Sequence, residues 1–219
     1  MLFSLQINLG LYVDATLGFA GHSSEILKRI PDGYLYGFDQ DDYAISCSRE
    51  RLDKIRDNYH IIRSNFVNMK SELEKIGVNR VDGILFDLGV SSPQLDDGDR
   101  GFSFHEDARL DMRMDTTSNF SAYNVVNEYD YKDLVRVIRD YGEEKYASSI
   151  AKNIVKYREN KDIETTFELV DIIKKSMPFK AMRGGHPARK TFQAIRIEVN
   201  HELDVLCSGL YDALSLLKV

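Results

Sequence analysis

Between positions 11 and 86, short apolar runs alternate with longer stretches whose apolar residues recur every three to four positions. Leu11-Tyr12-Val13 is a short run ending in Asp14, followed by a glycine-bearing turn. Residues 22–30 carry helical spacing, with Ile26, Leu27 and Ile30 on one face. Pro31-Asp32-Gly33 marks a turn, and a second apolar run over 34–38 ends at Asp39. The pattern then predicts a helix over 42–55, a strand over 59–63, a short helix over 69–76 stopped by Gly77, and a fourth strand over 81–86. Strand–helix alternation at this pitch predicts a parallel sheet with right-handed crossovers, an α/β fold.

Beyond the fourth strand the pattern changes. A long polar loop begins at Asp87, dense in acids, arginines and aromatics, and from about position 121 to 177 only helical periodicity remains. Helices are expected over 130–141, closed by Gly142, and over 143–158. Thr165-Thr166-Phe167-Glu168 has the form of a capping box that starts another. A last helix is expected over 188–217. The organisation expected from this is a cofactor-binding part over 1–105, a helical insertion over 106–187 and a return helix over 188–219.

Composition narrows the functional classes. At 219 residues, 43% apolar and 29% charged, the chain is long enough to bury a substantial core. Its formal charge of −6 excludes wholesale coating of nucleic acid, so any such contact needs a local basic patch. One exists: residues 174–196 contain Lys174, Lys175, Lys180, Arg183, Arg189, Lys190 and Arg196 and no acid, with His186 in the middle and Phe179 and Phe192 nearby. A charge run is usually a solvated face, but this combination fits phosphate contacts with base stacking. Cys47 and Cys207 lie far apart and read as free thiols of a reducing cytosol. The five histidines form no ligand pair, so no zinc site is expected. No apolar run approaches membrane-spanning length. The opening residues lack a basic segment, include Gln6 and Asn8 and lead into a strand. A cytoplasmic protein is expected.

The candidate chemistry sits at the strand ends. Gly18, Ala20 and Gly21 make a small-residue turn where backbone approaches a ligand, before a helix N-terminus that favours a carboxylate or phosphate. Such turns are common as plain connectors. Asp39 ends the second strand, where Rossmann-like folds set an acid against ribose hydroxyls. The glycine fingerprint of dinucleotide folds is absent, which disfavours a nicotinamide oxidoreductase. S-adenosylmethionine, an adenosine ligand with a carboxylate and no pyrophosphate, fits the same geometry. Phe66 follows the third strand and either walls an adenine or joins the core. Asp87, at the mouth of the sheet, either caps its loop or accepts a hydrogen bond from an exocyclic amine and turns the nitrogen lone pair toward an electrophilic methyl group.

Four stretches resemble one family: Val13-Asp14-Ala15-Thr16-Leu17-Gly18 with Gly21-His22-Ser23; Gly37-Phe38-Asp39-Gln40-Asp41; the run from Val81 through Phe86-Asp87-Leu88-Gly89-Val90-Ser91-Ser92-Pro93-Gln94 to Asp115; and His186-Pro187-Ala188-Arg189-Lys190-Thr191-Phe192-Gln193-Ala194-Ile195-Arg196 with Asn200-His201-Glu202-Leu203 behind it. The third and fourth are long and specific. Tyr141-Gly142-Glu143-Glu144-Lys145 also belongs to the pattern. The chain is similar to bacterial 16S ribosomal RNA cytosine-N4 methyltransferases of the MraW or RsmH type, over nearly its whole length. The resemblance implies a Rossmann-like methyltransferase sheet with an inserted helical subdomain, S-adenosyl-L-methionine as cofactor and 16S rRNA in the small ribosomal subunit as partner, with no metal. Carried over by position, Ala20, Gly21 and His22 would line the cofactor turn, Asp39 the ribose and Phe66 the adenine. Asp87 and Gln94 would line the methionine end, with Asp87 also catalytic. Lys180, Arg183, His186, Arg189, Lys190 and Arg196 would grip RNA and help present a flipped cytidine. Monomer and homodimer both stay open.

Two departures stand out. Phe19 and Ala20 replace a run of glycines, and Phe19 either narrows the cofactor site or points away. The family's motifs before the first strand and after position 219 are not present, so the sheet is expected to be truncated, with strand four as an exposed apolar edge. The alternative to an active enzyme is a non-catalytic fragment or remnant that keeps cofactor or RNA binding.

Overall fold

The computed structural model describes residues 9–89 and 100–218, with the side chains of 182–184 left out. Two compact units emerge, one from residues 1–91 with 203–219 and one from residues 92–202.

In the first unit, β1 (Leu11–Asp14), β2 (Tyr34–Asp39), β3 (Tyr59–Arg63) and β4 (Gly83–Leu85) form a parallel sheet in the order β3-β2-β1-β4. Helices α1 (Gly21–Arg29), α2 (Asp42–Leu52) and α3 (Met69–Lys75) link them, as the alternating pattern predicts. The period-2 geometry of β2 sends Leu35 to one face and Phe38 to the other. Leu35 joins Leu17, Ala20, Leu27, Ile30 and Leu52 from the turn after β1, α1 and the end of α2. Phe38 joins Val13, Ile62, Met69, Leu73, Ala213 and Leu216, so α3 and α9 (Glu202–Leu216) cover the opposite face. Gly37 is dictated by this packing. A Cβ there would lie 2.9 Å from Leu17 Cδ1, so any side chain would push the buried Leu17 side chain aside.

Among the described residues β4 is at one edge of the sheet, and it is shorter than the 81–86 read from the pattern. Val81 pairs instead with Leu217, with the Val81 amide donating to the Leu216 carbonyl at 2.8 Å and the Lys218 amide to the Val81 carbonyl at 3.0 Å.

The second unit is helical: α4 (Ala122–Glu128), α5 (Tyr131–Asp140), α6 (Ala147–Arg158), α7 (Thr166–Ser176), a 3-10 turn (Phe179–Gly184) and α8 (Arg189–Val199). The capping box at Thr165 is formed: its hydroxyl accepts from the Glu168 amide, and the Glu168 carboxylate accepts from the Thr165 amide. The helix expected over 143–158 begins only at Ala147, because Glu143 sits at φ 50 and turns the chain first. Lys190 Nζ donates to the Glu143 carbonyl at 2.9 Å and holds that turn. Gly142 is required where α5 meets α8, since a Cβ there would sit 2.6 Å from the Lys190 carbonyl oxygen.

The single helix expected over 188–217 is two helices. His201 adopts φ 50 and breaks it between α8 and α9. Asn200 makes the break useful: its Nδ2 donates to the Met112 carbonyl at 2.8 Å, and its Oδ1 accepts from the Met114 amide at 2.7 Å. Within the long loop, Asp111 and Arg113 form a two-bond pair of 2.7 and 2.6 Å. The return helix expected over 188–219 is shared between the units, 188–202 with one and 203–219 with the other. Helix α8 lies with the helical unit because its buried face packs on α4 and α5.

Candidate functional site

A parallel sheet ordered 3-2-1-4 reverses its winding between β1 and β4, and ligands of such sheets bind outside the strand ends at that point. The carboxyl ends of β1 and β4 lie side by side there, Asp14 opposite Leu85. Residues 15–20 and Asp87 extend from those ends.

The turn is held by buried polar groups. Asp14 is 1% exposed, and burial pushes its carboxyl above the usual range. Ser23 Oγ donates to its Oδ2 at 2.7 Å, and the Thr16 amide to its Oδ1 at 3.1 Å, both opposing that rise. Thr16 Oγ1 in turn accepts the Asp87 amide at 2.7 Å. A relay of short bonds therefore runs from α1 through Asp14 and Thr16 to Asp87. Gly18, at φ 51, donates its amide to Asp39 Oδ2 at 2.9 Å, and its carbonyl accepts from Ser48 Oγ at 2.6 Å.

Asp39 is placed at the end of β2, as expected. Its other oxygen accepts from the Asp41 amide at 2.9 Å, and burial raises its pKa against these two bonds. A carboxylate offers about four lone-pair sites, so the bonds from the Gly18, Asp41 and Gln40 amides leave room for a ribose hydroxyl. Ala20 takes a left-handed conformation, φ 55 and ψ 34, at the start of α1. It supplies no side-chain cap, the first turn of α1 holds no acid, and a Cβ at Gly21 would meet nothing within 4 Å. An uncapped N-terminus with open space beside its first residue fits a carboxylate ligand. These residues fit S-adenosylmethionine: α1 for the carboxylate and Asp39 for the ribose.

His22 and Asp87 face each other, Nδ1 to Oδ2 at 3.3 Å, and both side chains are more than 60% exposed. Asp87 is thus an accessible carboxylate whose backbone is anchored. Phe66 is only partly exposed. Its ring meets Phe86 edge to face at 5.5 Å, and Gly209 of α9 lies against it, so much of its surface belongs to the core. Phe19 turns toward α2, its ring edge to face with Tyr43 at 5.9 Å, while its carbonyl accepts from Arg51 at 3.1 Å. Gln94 lies outside the described residues.

The basic stretch resolves into groups with different roles. Lys180, Arg189 and Lys190 are exposed. Lys190 holds the Glu143 turn, and the Arg183 side chain lies outside the described part. Arg196 is set apart: Glu202 grips its guanidinium at 2.7 and 3.0 Å, and the side chain is 17% exposed. Its partner is internal. His186 stacks flat on Phe104, with centroids 4.4 Å apart and planes at 8°, and burial lowers its pKa with help from His105 and Lys174. Asp14, Thr16, Ser23 and Ser48 were not expected among the site residues. The only sequence signal for them is an acid ending β1 with hydroxyl residues shortly after it.

A parallel α/β sheet with its switch point between β1 and β4 is the arrangement of a Rossmann-like, S-adenosylmethionine-dependent methyltransferase. The profile of the MraW methylase family matches residues 4–219, and the chain belongs to that family. A ribosomal RNA small subunit methyltransferase H of Exiguobacterium sibiricum is 60% identical over 211 residues, 96% of this chain and 68% of that protein. Proteins of the same name from Ruminiclostridium cellulolyticum and Clostridioides difficile are 56% and 57% identical, over 98% and 95% of this chain and 70% and 68% of their own lengths. Among the described residues no helix is long and apolar enough to cross a membrane.

Proposed function

We propose that the chain transfers the methyl group of S-adenosylmethionine to the N4 amine of a cytidine in 16S rRNA of the small ribosomal subunit, with Asp87 as the catalytic residue. When bound, the cofactor supplies an electrophilic methyl on a sulfonium. The protein supplies orientation. The observation that carries this is the placement of Asp87: its amide is tied to Thr16 at the β1–β4 switch point, while its carboxylate stays accessible beside His22. The Asp87 carboxylate accepts a hydrogen bond from the N4 amine, which turns the nitrogen lone pair toward the methyl group. The same carboxylate takes the proton that the nitrogen sheds on methylation.

Ala20, Gly21 and His22 bind the carboxylate end of the cofactor and Asp39 the ribose, with Phe66 contributing an edge near the adenine. Gln94 joins the methionine end. Lys180, Arg183, His186, Arg189 and Lys190 form the RNA-binding face. Arg196 supports that face from within through Glu202. A cytoplasmic location agrees with this substrate. A non-catalytic remnant is not favoured, because the family match runs through both the cofactor turn and the Asp87 segment.

The test is methyl transfer from labelled S-adenosylmethionine to small subunits that lack the modification. Asp87→Ala should reduce transfer by at least about a thousandfold, the upper part of the range for a positioned acid–base group, with RNA affinity retained. Labelling that survives this substitution removes Asp87 from the chemistry. A chain that binds cofactor or RNA by calorimetry yet transfers no methyl group would support the remnant instead.

A further inference from the structure

Between the loop at Phe104 and one face of α7 lies a cleft that none of the roles above uses. It is about 230 Å³ in volume and lined by Phe104, His105, Phe167, Val170, Asp171 and Lys174. Positions 167, 170, 171 and 174 share one face of α7, so a single rigid helix supplies that wall. The opposite wall is rigid for another reason. The Phe104 ring has His186 stacked on it at 4.4 Å and Phe192 against its edge at 5.7 Å. Val170 is 3% exposed and makes an apolar floor, whereas Phe167 is 44% exposed. Among the described residues, Asp171 and Lys174 form no ion pair, although they stand one turn apart.

A flat ligand is indicated on three grounds. Pockets for drug-sized molecules span about 300 to 1,000 Å³, so this one takes something smaller, on the scale of a single ring system. Its walls are aromatic, which suits stacking. Its polar groups are one carboxylate, one ammonium and one imidazole: an acceptor for an exocyclic or ring N–H, a cation for a phosphate, and a group able to do either. Unstacked bases of single-stranded RNA are recognised by this combination. The cleft is also continuous with the acid-free stretch, because His186 of that stretch is the residue stacked on Phe104.

We propose that this cleft is a subsite for one unpaired nucleotide of the RNA substrate. The base lies against Phe104 and Phe167, its N–H edge is read by Asp171, and Lys174 meets a neighbouring phosphate. The proposal rests on the RNA-binding reading above and adds to it a base-reading position on the helical unit.

The experiment measures binding of the full chain to short, unstructured, fluorescein-labelled RNAs of single-base composition, by anisotropy across a salt series. Phe167→Ala should weaken binding roughly 5- to 150-fold, the range that follows from about 1 to 3 kcal/mol per stacked base. Lys174→Ala should reduce the slope of log affinity against log salt by about 0.7, as for one lost phosphate contact on a single strand. Asp171→Asn keeps the shape but adds an N–H donor, so it should change the ranking of the RNAs, an effect that a structural role would not produce. Each variant should bind S-adenosylmethionine and melt as the unaltered chain does. A free nucleoside monophosphate should compete weakly. Wild-type affinity in Phe167→Ala, an unchanged ranking in Asp171→Asn, or a monophosphate that competes as well as RNA would each overturn the subsite. If that happens while Arg189→Ala still weakens binding, the broader RNA face stands. If the unaltered chain binds no RNA, both are wrong.

Discussion

Replacing Ser23 by alanine should expose how the buried acid at the end of β1 governs both stability and the position of Asp87. Ser23 Oγ is one of two groups bonded to the Asp14 carboxylate, at 2.7 Å, and Asp14 is 1% exposed. Burial leaves the carboxylate oxygen little solvent to replace the lost donor. A hydrogen bond to a charged group contributes about 1.5 to 3 kcal/mol, so the loss at neutral pH should be about 2 kcal/mol. With a urea dependence of about 2 kcal/mol per molar, the unfolding midpoint should fall by roughly 1 M. The loss must also depend on pH, with a definite sign. Burial raises the folded pKa of Asp14 above its unfolded value, so the folded chain holds this proton more tightly. Stability therefore falls as pH rises from about 3.9, the ordinary aspartate value, through the raised folded value. Removing Ser23 raises the folded pKa further, so its extra cost lies above the unfolded pKa and shrinks as pH falls toward it. Urea melts of both proteins from pH 8 down to the lowest pH at which both stay folded would show the gap narrowing to about 0.5 to 1 kcal/mol, the scale of a neutral hydrogen bond. Because Thr16 bonds both Asp14 and Asp87, cofactor affinity should drop in parallel. A gap below about 0.5 kcal/mol at neutral pH, or one that does not change with pH, would refute the relay.

Two further substitutions separate look-alike residues. Arg189→Ala should weaken RNA binding and lower its salt slope by about 0.7 while leaving the urea midpoint alone. Arg196→Ala should lower the midpoint instead, because it strips Glu202 of its two-bond partner across the α8–α9 break. Anisotropy and urea melts on both proteins decide it. Phe19→Ala removes an edge-to-face contact with Tyr43 worth about 0.5 to 1.5 kcal/mol. It should raise the KM for S-adenosylmethionine up to about tenfold with kcat nearly unchanged. A large fall in kcat at saturating cofactor would place Phe19 at the reacting centre.

Much of the fold and family was legible before any coordinates. The alternation over 11–86 specified a parallel sheet because apolar runs too short for helices can be satisfied only by pairing, and the intervening 3.6-residue periodicity supplies the crossovers. The pattern over 188–217 carries no local sign of the break between α8 and α9, since every residue through it is compatible with helix. What breaks it is a contact far along the chain, the Asn200 side chain bonding both Met112 and Met114. The cations of residues 174–196 looked equivalent for a similar reason. Arg189 and Arg196 lie on the same face of α8, in its first and last turns, and differ in what waits at each end: only Arg196 reaches Glu202.

The sequence by itself determined which chemistry is available: an acid at the end of β2, a small-residue turn, Asp87 after β4, and a basic stretch in an acidic chain. Those are local properties, carried by residue type and spacing. Tertiary structure alone decided which polar groups are buried and bonded to one another. Asp14 became the anchor of the turn because packing removed its water and left Ser23 and Thr16 as its bonding partners. Phe104 and His186 became a stacked pair because the helical unit brings distant segments together. Burial and long-range pairing depend on the path of the whole chain, and no window of sequence contains that path.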